Sequence, residues 1–188
     1  MFKTKILVVG PSASGKSVVC NFLAEATDSS TGEYHPTQGV RILEFESDTI
    51  NVSGRIVKAE VELWDCSGDT KFEACWPALM KDAHGVIFLY SSDHPNVEKE
   101  MDMWYANFVQ AQNLKDNQCI VFCHQIPGNP KGSFSQLSSL FSHVHWIQTN
   151  VEDDGNVVRQ EFNNFLERLL SNINERRDQE ELSIMNHH

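Results

Sequence analysis

Gly10-Pro11-Ser12-Ala13-Ser14-Gly15-Lys16-Ser17 is a complete G-x-x-x-x-G-K-[ST] run, and its flanks stand where that run has physical meaning. Residues 5–9 (Lys-Ile-Leu-Val-Val) form a nearly continuous apolar stretch that predicts a buried strand, and residues 18–26 carry the apolar spacing of a helix. A bend between strand and helix gathers the unpaired amides and the positive dipole end of the helix into a concave anion site. The amides of Ser12, Ala13, Ser14, Gly15, Lys16, Ser17 and Val18 are the expected lining. Lys16 is expected to reach β- and γ-phosphate oxygens, and the Ser17 hydroxyl to ligate Mg²⁺.

The chain around this loop has 188 residues, 40% of them hydrophobic, enough to bury a core without disulfide or metal staples. One α/β domain is expected over residues 1–174, followed by a charged tail over 175–188 for which a solvated helix end competes with a partner-binding segment. The five cysteines are odd in number and scattered, which reads as reduced thiols; Cys119 and Cys123 lie too far apart along one strand to bridge. No stretch approaches the roughly 18 apolar residues of a membrane span. The start leads into the first strand without a signal-peptide pattern, and the end carries no cysteine for prenylation, so neither membrane anchor nor lipidation is expected. His187 and His188 are set aside as a tag-like ending. A net charge of −11 argues against nucleic acid and anionic membranes as ligands. A phosphate ligand then needs a local positive site, which the loop and Lys16 provide.

Beyond the first helix, residues 28–35 are polar and turn-rich, a loop by composition. Residues 40–46 and 56–64 alternate as two strands of an antiparallel hairpin about the turn Ser53-Gly54. Val57, Ala59, Val61 and Leu63 share one face of the second strand, and Lys58, Glu60, Glu62 and Trp64 the other. That strand delivers Asp65 to its carboxyl end, the usual ligand position in doubly wound sheets. Strands are further expected at 83–91, 119–123 and 145–149. Val97, Met101, Trp104, Phe108 and Gln112 mark one helix face, and Phe162, Phe165, Leu166, Leu169, Leu170 and Ile173 another, opened by Glu152-Asp153-Asp154. Residues 133–141 read as either a short helix or a loop. The alternation predicts a mostly parallel six-stranded sheet with one antiparallel strand and helices on both faces.

The order of motifs is more specific than any one of them: phosphate loop, threonine in a flexible loop, hairpin, then D-x-x-G. Thr37 can offer its hydroxyl to Mg²⁺ and its amide to a γ-phosphate, so that its loop orders only with that phosphate. Asp65 can hold a Mg²⁺-bound water, and Gly68 can bring a bare amide to the γ-phosphate.

These residues resemble the small GTPase family of Ras and Rab type, so the expected fold is a small-GTPase-type P-loop domain. Gly10 to Ser17 matches its first motif, Tyr34 to Thr37 its first switch, and Trp64-Asp65-Cys66-Ser67-Gly68 the opening of its second. The run from Pro36 to Glu46, the segment from Trp64 to Gly85 and the ending from Arg177 to Met185 are similar to the Rab-like small GTPases of intraflagellar transport. The resemblance implies GTP/GDP and Mg²⁺ as ligands, coiled-coil subunits of the transport B complex as partners, and a location in cytoplasm and cilium or flagellum, including its base. It further implies Tyr34 as a nucleotide contact, and Ile42, Trp64 and Leu79 as an apolar triad facing partners, with Phe72 and Trp76 adding aromatic surface.

Several positions depart from the family pattern. Asp69 stands where the family places its water-orienting glutamine, so hydrolysis is expected to be slow whether Asp69 lies near the phosphates or caps the next segment. His124-Gln125-Ile126-Pro127 replaces the guanine-reading Asn-Lys-x-Asp, leaving His124 and Gln125 as either base contacts or solvent-facing loop residues. Ser30 replaces the base-stacking aromatic, and Thr149-Asn150-Val151 takes the place of the Ser-Ala-Lys loop, with Asn150 and Val151 as backbone contacts. Two functions follow: a nucleotide switch that docks on coiled coils, or a scaffold in which nucleotide is structural. A small-molecule phosphotransferase would need a wholly parallel sheet and an arginine-bearing lid, against which the alternating strands argue.

Overall fold

The computed structural model describes residues 2–25, 37–125 and 136–185. Its regular elements are β1 (Phe2–Val9), α1 (Lys16–Leu23), β2 (Val40–Glu46), β3 (Ile50–Val52), β4 (Arg55–Val57), β5 (Ala59–Cys66), α2 (Trp76–Met80), β6 (Gly85–Ser91), α3 (Val97–Phe108), β7 (Cys119–His124), β8 (His145–Thr149) and α4 (Val151–Met185). Six strands form one sheet in the order β2-β5-β1-β6-β7-β8, with β2 antiparallel to β5 and every other pair parallel. The sequence expectation of a mostly parallel sheet with one antiparallel strand is met.

The period of two along β1 explains the layering. Ile6 and Val8 enter a core cluster with Val19, Cys20 and Leu23 of α1 and the Phe162–Leu170 stripe of α4, whereas Leu7 and Val9 enter a second cluster with α2 and α3. Side chains alternate across a strand, so a continuous apolar run can serve two faces only if helices cover both. Four of the five cysteines are buried in these clusters' strands and helices, and all are free thiols.

The hairpin differs from its sequence reading in one respect. The turn Ser53-Gly54 joins the small pair β3–β4, which is separate from the main sheet. Between the two pairings, residues 48 and 49 face only Lys58, a bulge flanked by the Ser47–Ala59 backbone bond and the Ile50–Val57 pair. The bulge shifts the register of β2 on β5 by one residue. Extending the turn's own register would put Arg41 beside Cys66; in the structure Arg41 lies beside Asp65.

α3 ends at Phe108, and Gln112 closes a short 3-10 turn beyond it. Of residues 133–141, the described part ends in a 3-10 turn at Ser139–Phe141. α4 bends at Asp154 (φ −131°, ψ 40°), within the acidic opening. It remains helical through Met185, with one face buried from Val158 to Leu170 and every residue exposed from Glu175 onward. No helix among the described residues is long and apolar enough to cross a membrane.

The chain goes to β5 on one side of β1 and to β6 on the other, so a crevice opens at the carboxyl end of β1. Phe165, fully buried between α4 and the sheet, anchors this packing. Phe165→Ala is expected to lower the unfolding free energy by about 3–5 kcal/mol, read as a shift of the urea midpoint at unchanged slope.

Candidate nucleotide-binding site

The loop from Gly10 to Gly15 leaves β1 and ends at the start of α1, as expected. The Lys16 ammonium is buried and donates to the carbonyls of Gly10 (3.0 Å) and Pro11 (2.5 Å), with Ser14 Oγ at 3.4 Å. Burial holds its pKa down at about 8, the buried Asp65 carboxylate pulling the other way. Ser14 is buried, Ser17 half-buried, and Ser12, Ala13 and Val18 exposed.

Three oxygen-bearing side chains meet beside the loop. Ser17 Oγ donates to Asp65 Oδ2 at 2.6 Å and lies 3.1 Å from Thr37 Oγ1. These residues come from α1, the segment before β2, and the end of β5. Asp65 is fully buried, which raises its pKa, while Ser17 and Arg41 oppose that rise. Its Oδ1 has no hydrogen-bond partner among the described residues. A buried, half-unsatisfied carboxylate with two hydroxyls is a hard, all-oxygen donor set, and it fits Mg²⁺.

Gly68 carries the next constraint. A Cβ there would stand 2.4 Å from Ser12 N and 2.6 Å from Pro11 C, so only glycine permits the D-x-x-G segment to lie against the phosphate loop. Gly15 carries another: its φ is +92°, and a Cβ would meet the His124 ring at 2.5 Å.

His124 thus has a packing role. Its ring is buried against Gly15, and Nδ1 lies 3.2 Å from Thr149 Oγ1, tying the ends of β7 and β8 to the loop. Gln125, half-buried, donates its amide to Thr149 O and accepts a long bond from Gln148. Asn150 caps α4, its Oδ1 accepting from the amides of Glu152 and Asp153, both at 3.1 Å, and Val151 begins that helix. Asp69 serves as a cap as well: Oδ1 accepts from the Lys71 amide at 2.9 Å and Oδ2 pairs with Lys71 Nζ at 3.1 Å. These contacts hold its carboxyl below the usual range. Tyr34, Ile126 and Pro127 lie outside the described residues.

The expected partner face is only partly on the surface. Ile42 is exposed and pairs across strands with Trp64, whose half-buried ring is covered by Lys5 Nζ 3.7 Å from its centroid. Phe72 is half-buried. Trp76 and Leu79, by contrast, are buried: Trp76 packs 5.1 Å from both Trp104 and Phe108. The reason is helical phase. Residues 76 and 79 share one face of α2, and the preceding 3-10 turn (Thr70–Cys75) turns that face onto α3. Sequence reasoning missed Arg41, whose Nη2 reaches Asp65 Oδ2 and the Ser17 carbonyl, both at 3.3 Å.

Fold and site together define a Ras-like nucleotide-binding domain of the small-GTPase class. The family model described as "Ras of Complex, Roc, domain of DAPkinase" matches residues 5–126. Human intraflagellar transport protein 22 homolog is 50% identical over 187 residues, covering 98% of this chain and 100% of the relative. Among solved structures, the GTP-bound T. brucei IFT22/74/81 crystal structure matches with a TM-score of 0.72 at 30% identity, over 92% of this chain and 97% of the other. The GDP-bound T. brucei IFT22 crystal structure gives 0.69 at 27%, over 91% and 98%. The chain belongs to the intraflagellar transport protein 22 family.

Burial alone lowers the His124 pKa from its ordinary 6.5. The unfolded imidazole therefore binds protons that the folded one excludes, so stability is unaffected by this group above about pH 6.5 and falls progressively as pH drops below that value toward the lower folded pKa. His84 shifts in the same direction for the same first cause. Urea titrations between about pH 7.5 and 5.5 should show stability falling with acidity, and His124→Asn should flatten part of that fall.

Proposed function

We propose that the chain is a GTP- and GDP-binding assembly subunit of intraflagellar transport that docks on coiled-coil proteins of the B complex in cytoplasm and cilium, including the ciliary base. The observation that carries this reading is the convergence of Ser17, Thr37 and Asp65 beside a phosphate loop against which Gly68 is closely packed. The GTP-bound IFT22/74/81 assembly and the GDP-bound relative support it.

In this reading the amides of residues 12–18 cradle the phosphates, and Lys16 leaves the Gly10 and Pro11 carbonyls for the β- and γ-oxygens. Ser17 and Thr37 would hold Mg²⁺ directly and Asp65 through water; the ion supplies charge neutralisation of the phosphates when bound. Thr37 and Gly68 would sense the γ-phosphate with hydroxyl and amide, coupling nucleotide state to the two segments that flank Ile42 and Trp64. Ile42, Trp64 and Phe72 are the surface offered to a partner. Hydrolysis would be slow, since Asp69 is committed to Lys71 and has no amide hydrogens with which to orient water.

That commitment of Asp69 also favours a second reading, in which nucleotide is a structural ligand of a scaffold. The two part on coupling. A switch predicts partner affinities that differ between GTP- and GDP-loaded protein by about 1–3 kcal/mol. Titration of each loaded form with a 74/81-type coiled-coil pair at fixed Mg²⁺ measures this, and equal affinities would assign the structural role.

A further inference from the structure

The charge inventory of the site contains one member that the switch reading does not use. Arg41 is the cross-strand neighbour of the fully buried Asp65, placed there by the bulge opposite Lys58. Its Nη2 lies 3.3 Å from Asp65 Oδ2 and 3.3 Å from the Ser17 carbonyl, while Ser17 Oγ donates to the same carboxylate oxygen. Among the described residues its Nε, like Asp65 Oδ1, is buried without a hydrogen-bond partner. A guanidinium thus shares one oxygen of the divalent-cation donor set, Asp65 Oδ2, and is held on a strand rather than on a loop.

Two physical consequences follow. Guanidinium stays charged at any pH a protein survives, so the site holds a permanent cation beside Asp65. A fixed positive charge at hydrogen-bond distance from a carboxylate weakens that carboxylate's attraction for a second cation, and it supplies part of the field that the triphosphate needs. Lys16 is committed instead to the loop carbonyls of Gly10 and Pro11. In a chain of net charge −11, a second cation at this point matters more than it would in a neutral one.

We infer that Arg41 is a built-in cation of the phosphate site that replaces part of the charge role of Mg²⁺, so that nucleotide retention by this protein depends only weakly on the divalent ion. The residue is a positioning and charge-supplying group, and its role rests on nucleotide binding at the loop from Gly10 to Ser17. A merely structural Arg41–Asp65 ion pair would stabilise β2 on β5 without changing the linkage between metal and nucleotide.

The test is the ratio of GTP dissociation constants of the full chain in excess EDTA and in saturating Mg²⁺, measured calorimetrically for wild type, Arg41→Gln and Arg41→Lys. For the wild type the ratio should stay below about tenfold, and Arg41→Gln should raise it by a further factor of about ten, the order of one charge-assisted hydrogen bond. Arg41→Lys should remain near wild type. Because the ratio is taken within each variant, a uniform loss of affinity or stability cancels. An unchanged or smaller ratio in Arg41→Gln overturns the inference and leaves the nucleotide reading intact. Failure of the wild type to bind GTP under either condition overturns both.

Discussion

A carboxylate completely removed from water is the constraint on which the rest of this site depends. Asp65 ends β5 inside the crevice, where isolation of its charge would be costly. Ser17 and Arg41 bind one of its oxygens, the other has no partner among the described residues, and Thr37 is drawn to the same point through Ser17. Three separate segments of chain are thereby gathered around one negative charge.

Around that charge the backbone is arranged for close approach. Gly68 lets the end of the D-x-x-G segment rest on Pro11 and Ser12, and Gly15 makes room for the His124 ring. Both contacts are backbone against backbone or ring, with no slack for a methyl group. The loop is consequently braced from two sides, by the segment after β5 and by the end of β7, while its own ammonium at Lys16 is held by its carbonyls. Bracing of this kind limits how far the loop must reorganise to present its amides to an anion.

The legible part of the molecule was the part encoded locally. Strand β1, the phosphate loop and α1 follow from a contiguous run, and the two-faced sheet follows from the apolar continuity of β1, β6 and β7 against the alternation in β5. What escaped depends on register and phase. Arg41 was invisible because the Ser53-Gly54 turn fixes the pairing of β3 with β4 but a bulge resets it before β2 meets β5. Trp76 and Leu79 looked like partner surface by position in the motif order, yet their spacing on α2 is that of a core face, and α3 supplies the aromatic wall they need. His124 and Asn150 are polar residues at strand ends, the first packed against Gly15 and Thr149 far away in sequence and the second capping the helix that follows it.

The central claim is that the amide-lined bend before α1 grips the terminal phosphates of a purine nucleotide. Calorimetric titration of the full chain with GTP, GDP, ATP and ADP, after extraction of any nucleotide carried from the host, tests it most directly. Saturable heat with GTP and GDP is the predicted result. No heat with any of the four, from folded protein that also carried none through purification, would contradict it.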